Sequence, residues 1–215
     1  MELSTYCVQV LVTVIAFIGS CLLLGKILDA VTVFLVTRCG RWLINVTFLG
    51  VFHHELSHAL FAVLTGAKIN SITLFRISHK DGKLGEVKFT PRGLGVTQAV
   101  QVVLTSIAPM ITGALSLWGL IEYAIPWAGR EHGIWASALL GYLAFSIFMH
   151  MSLSGQDIRN IFSKILYLFP ILFIVFFLFN VNLPQVLSGK HSIAPIKELI
   201  SVIKNIKQAV GFSVI

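Results

Sequence analysis

The stretch Gly50–Gly66, GVFHHELSHALFAVLTG, decides how this chain is read. Three histidines and a glutamate stand inside a run otherwise built from Val, Phe, Leu and Ala. The apolar run around them, Leu43 to Leu64, measures roughly 33 Å if helical, enough to cross a hydrocarbon core of about 30 Å. An ionisable group at that depth costs a few kcal/mol even on the mildest insertion scales, so such a group must face a partner or a water-filled cavity. His54-Glu55-Leu56-Ser57-His58 is an H-E-x-x-H. Residues four apart on a helix share a face, so the two imidazoles can converge on one Zn²⁺ at roughly 2.0–2.1 Å. The glutamate between them is placed as general base toward a water that the metal acidifies. His53 points about 100° away from His54 and reads as a packing or supporting histidine rather than a ligand.

Working outward, the composition supports a membrane setting. The chain is 56% hydrophobic and 12% charged, against roughly 25% charged for a soluble domain. Besides Leu43–Leu64, apolar runs cover Cys7 to Val36, Val96 to Ile125, Gly133 to Met151 and Ile161 to Phe179. About five transmembrane helices and a single membrane domain over residues 1–215 are therefore expected. The first run is interrupted by Gly25, Lys26 and Asp29 and can be one helix or two elements. Pro109 and Pro170 fall inside the third and fifth runs and predict bends. The net charge of +7 comes from Lys and Arg between apolar runs, with no basic face interleaved with aromatics. The lipid bilayer, not nucleic acid, is its expected partner. Cys7, Cys21 and Cys39 have no ligand spacing and read as small apolar packing residues. No cleaved signal peptide is expected, because an acid rather than a basic cluster precedes the first apolar run. Basic residues divide about evenly between alternate connections, so orientation is not legible.

Between the second and third runs the texture changes. Ile72 and Leu74 alternate with Ser71 and Thr73, Val87 and Phe89 with Glu86 and Lys88, and Asp81-Gly82 is a turn signal. A β-hairpin over 69–92 is predicted. At 193–210, Ile196, Leu199, Ile200, Ile203, Ile206 and Val210 recur at helical spacing, which predicts an amphipathic helix lying in the interface or docked on a partner.

A catalytic zinc usually takes three protein ligands. Glu122, His132, His150 and Asp157 are the candidates for the third. Asp157 follows Ser154-Gly155, a break in helical texture of the kind tolerated at depth where it lines a cavity. The elements HHELSHALFAVLTGAKI, a hairpin, SIAP and SLSGQD, between about Leu43 and Phe179, resemble the site-2 protease family of intramembrane zinc metalloproteases. That resemblance implies an all-α polytopic fold with a three-helix zinc core over 43–179. It implies His54, His58 and Asp157 as ligands and Glu55 as the base. The chain departs from the family where Asp157 lies between Gln156 and Ile158 with no following glycine. It departs again where Met149 and Ser152 replace the family's asparagine-proline element. Ser152 and Gln156 are the substitutes at hand for the missing oxyanion donor.

The expected activity is hydrolysis of a peptide bond in or near a transmembrane segment of a membrane-protein substrate, with the hairpin holding the unwound strand by edge pairing. Without a soluble selecting domain in view, a regulatory membrane partner is a further expectation. Two rival classes remain, a metal carrier or channel and a non-catalytic scaffold of the same fold. No internal repeat supports transport.

Overall fold

The computed structural model describes residues 3–76 and 84–178. Among these, α1 spans Leu3–Cys39, α2 Trp42–Val46, α3 Phe48–Leu64, β1 Lys68–Thr73, β2 Glu86–Thr90 and α4 Val96–Gly119. A π-turn at Leu120–Ala124 leads into α5 at Ile125–Glu131, followed by α6 at Ile134–His150 and α7 at Gly155–Leu178. The chain divides into two compact units. One joins the start of α1, up to Gly19, to the end of α7 from Phe169. Within it Tyr6 donates from its hydroxyl to the Phe177 carbonyl at 2.9 Å, and Phe17 meets Phe176 edge-on. The other unit, Ser20–Leu168, contains every residue of the opening motif.

Three helical stretches, Ser4–Cys39, Val96–Glu131 and Gly155–Leu178, are long and apolar enough to cross a membrane, and α3 and α6 are shorter apolar helices. The protein is an integral multi-pass membrane protein with a small two-stranded insertion. Its exterior is rich in large apolar side chains, unlike that of a soluble protein. On α3 the buried residues are Gly50, Val51, Glu55, Ser57, His58, Ala59 and Ala62, while Leu56, Leu60, Val63 and Leu64 are exposed. Small and polar groups let neighbouring backbones approach and bond, and the leucines meet a solvent as apolar as themselves.

The first apolar run resolves as one continuous helix, α1. A lone glycine costs a helix only about 1 kcal/mol, and neither Lys26 nor Asp29 is a breaker. The second run is not one helix, contrary to expectation: it divides at Thr47. The Thr47 hydroxyl donates back to the Leu43 carbonyl at 2.8 Å. Ser146 of α6 inserts its own hydroxyl at the break, donating to the Thr47 carbonyl at 2.7 Å and accepting from the Gly50 amide at 2.8 Å. A side chain entering the backbone ladder is a recognised cause of a helix break. The third run extends past Ile125 to Glu131, because the π-turn precedes Pro126, which has no amide hydrogen to give.

Helices α3, α4 and α6 pack pairwise into the core. The closest approach is at Gly50, where an added Cβ would overlap the backbone carbonyl of Ser146 and come within 2.7 Å of His150 Cδ2. The hairpin strands pair antiparallel, with Ile69 opposite Phe89 and Ile72 opposite Val87, and the register slips between Ile69 and Ser71. The predicted Asp81-Gly82 turn and the predicted helix over 193–210 lie outside the described residues.

Because a backbone carbonyl cannot swing aside, Gly50→Ala is expected to destabilise the α3–α6 crossing by about 1–3 kcal/mol. Gly141→Ala, on a side of α6 with nothing within 4 Å of the new methyl, is the control. Thermal unfolding of the purified protein in detergent, read by tryptophan fluorescence, should show a lower midpoint for the first variant and none for the second.

Candidate metal centre

His54 and His58 project from successive turns of α3 with their Nε2 atoms 3.0 Å apart. Each ring is held from behind. His54 Nδ1 lies 2.6 Å from the His150 carbonyl oxygen and His58 Nδ1 lies 2.7 Å from the Thr105 carbonyl oxygen. A carbonyl only accepts, so both Nδ1 atoms carry hydrogen, and in its neutral form each ring turns an Nε2 lone pair toward the other. Asp157 Oδ1 faces the same point, 3.6 Å from His58 Nε2. The three ligand atoms lie within 4.8 Å of one another.

Three electron-pair donors facing one point repel unless a cation joins them. Ligands 2.0–2.1 Å from a tetrahedral ion stand roughly 3.3 Å apart, close to the nitrogen spacing observed. Two nitrogens and a carboxylate, each steadied by an outer partner, suit Zn²⁺. The donor set therefore fits the metal that the motif implies.

Asp157 is fixed by a device that the sequence contains but that plain motif reading passes over. Ser154-Gly155-Gln156-Asp157 is a capping box at the start of α7. Ser154 Oγ accepts from the Asp157 amide at 3.1 Å, and Asp157 Oδ2 accepts from the Ser154 amide at 3.0 Å and from the Ser154 hydroxyl at 2.5 Å. One carboxylate oxygen is thereby occupied by the cap, and the other is left to face the histidines. The S-x-x-D spacing was the available signal.

The other sequence candidates lie apart from this cluster. The Thr47 hydroxyl gives its hydrogen to Leu43, so at 2.9 Å it accepts from His150 Nε2, which removes that nitrogen as a lone-pair donor. His150 supports the site instead through its backbone carbonyl. Glu122 is exposed on the π-turn, and His132 stacks edge-on against Trp127. His53 Nε2 pairs with Ser116 Oγ at 3.0 Å, tying α3 to α4. Gln156, a substitute considered for the missing oxyanion donor, directs its amide to Asn160 on its own helix. Among nearby hydroxyls, Ser57 bonds Thr112 and Thr65 bonds the Phe61 carbonyl. Among the described residues, the buried hydroxyls of Thr105 and Ser106 find no partner.

Glu55 is buried on α3, and the chain leading into β2 crosses directly over it. An added Cβ on Gly85 would stand 2.5 Å from Glu55 Cγ and 2.7 Å from Oε1. Only glycine permits this approach, so the hairpin insertion bounds the space in which the carboxylate can move.

A membrane-embedded helical core carrying a His, His, Asp cluster defines a class, that of polytopic metal-site proteins. The family model described as Peptidase M50B-like matches residues 26–190. The chain belongs to this family, and with it to the site-2 protease group that its motifs resemble; at family level it is a membrane metallopeptidase. Comparison with curated proteins and with solved structures returned no significant match.

Two outcomes follow from this geometry. Ser154→Ala should weaken zinc affinity about 10-fold or more by releasing the Asp157 carboxylate, measured by chelator competition on the purified protein. Gly85→Val should leave zinc affinity intact while lowering any peptidase activity, because its side chain displaces Glu55 and not the ligands.

Proposed function

We propose that this protein hydrolyses a peptide bond within or beside a transmembrane segment of a membrane-protein substrate, with His54, His58 and Asp157 as zinc ligands and Glu55 as the general base. The observation that carries the reading is the convergence of two Nε2 lone pairs and one carboxylate oxygen on a single buried point beside an H-E-x-x-H glutamate. Zinc bound there would polarise the scissile carbonyl and acidify the attacking water. Glu55 takes the proton from that water and returns it to the leaving amine. The two backbone carbonyls keep the histidine rings in one tautomer throughout, so neither ring competes with Glu55 for the proton.

A helical substrate hides its carbonyls in its own hydrogen bonds, and the strand it must become is matched by the exposed backbone of the β1–β2 pair, which can add a third strand. Selection then rests on the bilayer, on this edge and on a regulatory membrane partner. A metal carrier is less well supported, because the described residues hold one ligand cluster and not the series of sites that conduction requires.

The test uses the full chain in proteoliposomes with a synthetic transmembrane peptide that carries helix-breaking residues at mid-span. Cleavage should stop on chelation and return with zinc. Glu55→Gln should lower the rate by about 10²–10⁴-fold while zinc stays bound, and His54→Ala and Asp157→Ala should release the metal. Cleavage by Glu55→Gln at the wild-type rate would remove the proposed base. Chelator-resistant cleavage would remove the metal.

A further inference from the structure

We infer that Pro109 is a positioning residue for the metal centre: by withholding an amide hydrogen from α4 it leaves the Thr105 carbonyl free to hold His58 in its metal-binding tautomer. The inference rests on the zinc-site reading above. Helix α4 runs unbroken from Val96 to Gly119 with Pro109 inside it. In an α-helix the carbonyl of residue i accepts from the amide of residue i+4. The partner of the Thr105 carbonyl would be the amide of residue 109, and proline has none. A proline in a helix interior therefore creates one orphan acceptor at a fixed place, four residues upstream. Here that acceptor belongs to a fully buried residue, where an unmet carbonyl is strongly disfavoured. The group that meets it is His58 Nδ1, at 2.7 Å.

The two histidines obtain their acceptors by different routes. His54 bonds the carbonyl of His150, the last residue of α6, which has no intrahelical partner because the helix ends there. His58 faces the middle of α4, where every carbonyl would ordinarily be engaged, and Pro109 supplies the exception. Pro170 of α7 is also inside a helix, but the residue four before it, Leu166, is largely exposed, and among the described residues no histidine bonds its carbonyl. The pairing of proline with ligand is thus particular to position 109.

The test measures zinc affinity of the full-length protein by competition with a chromophoric chelator, together with the ¹⁵N resonances of the histidine rings in the metal-free state. Pro109→Ala restores an amide that competes for the Thr105 carbonyl. It should weaken zinc binding 10–100-fold, the range for losing an outer partner of a ligand, and shift His58 away from a pure Nδ1–H tautomer. Replacing Pro109 with lactic acid puts an ester where the amide was and provides no hydrogen. That variant should bind zinc within about threefold of wild type and keep the tautomer, as the outer-partner account requires. Pro170→Ala should change neither reading. Failure of the wild-type protein to bind zinc would overturn the metal centre itself. With wild-type binding intact, an alanine variant that binds equally well, or an ester variant that loses affinity, would overturn the role of Pro109 alone. If the alanine variant does not fold, the ester variant decides: retained affinity and tautomer support the role, and loss of either refutes it.

Discussion

A buried imidazole costs free energy for each nitrogen left without a partner, so each nitrogen is best met by the protein, a bound ion or water. That constraint organises the centre of this structure. His54 and His58 each use Nδ1 on a backbone carbonyl, at 2.6 and 2.7 Å. Their other nitrogens thereby face a shared point, 3.0 Å apart. Carbonyls without an intrahelical amide partner occur at helix ends and four residues before a proline. The end of α6 and the interior of α4 supply one each.

The same logic runs through the surrounding core. The last carbonyls of α6 belong to Met149 and His150, and they are taken by Thr32 of α1 and by His54. The break between α2 and α3 is closed by Ser146, which bonds both sides of it. The start of α7 is closed by the Ser154–Asp157 box. Irregular backbone at membrane depth is tolerated where the protein itself satisfies it. Two of these, the end of α6 and the Ser154–Asp157 box, lie against the histidines.

Much of this was legible in the chain. The H-E-x-x-H spacing in an apolar run places His54 and His58 on one face whatever the neighbours do, because helix geometry is local. Period-two alternation at Ile72, Leu74, Val87 and Phe89 marked the strand pair for the same reason. The break at Thr47 was not legible, since it depends on Ser146, some hundred residues away. Nor was the role of His150: sequence offers its ring as a ligand, whereas the fold uses its carbonyl and gives the ring to Thr47.

By itself the sequence determined that the protein lives in a membrane, that one helix presents two imidazoles and a carboxylate together, and that a strand pair interrupts the helices. These follow from hydropathy and from residue spacing along a single element. Tertiary structure alone decided which carbonyls orient the rings, how Asp157 is held beside them, and that Gly85 lies over Glu55. Such facts depend on where separate helices cross. A crossing is set by the closest approach their side chains allow, as at Gly50 against Ser146, and no stretch of sequence read on its own contains that distance.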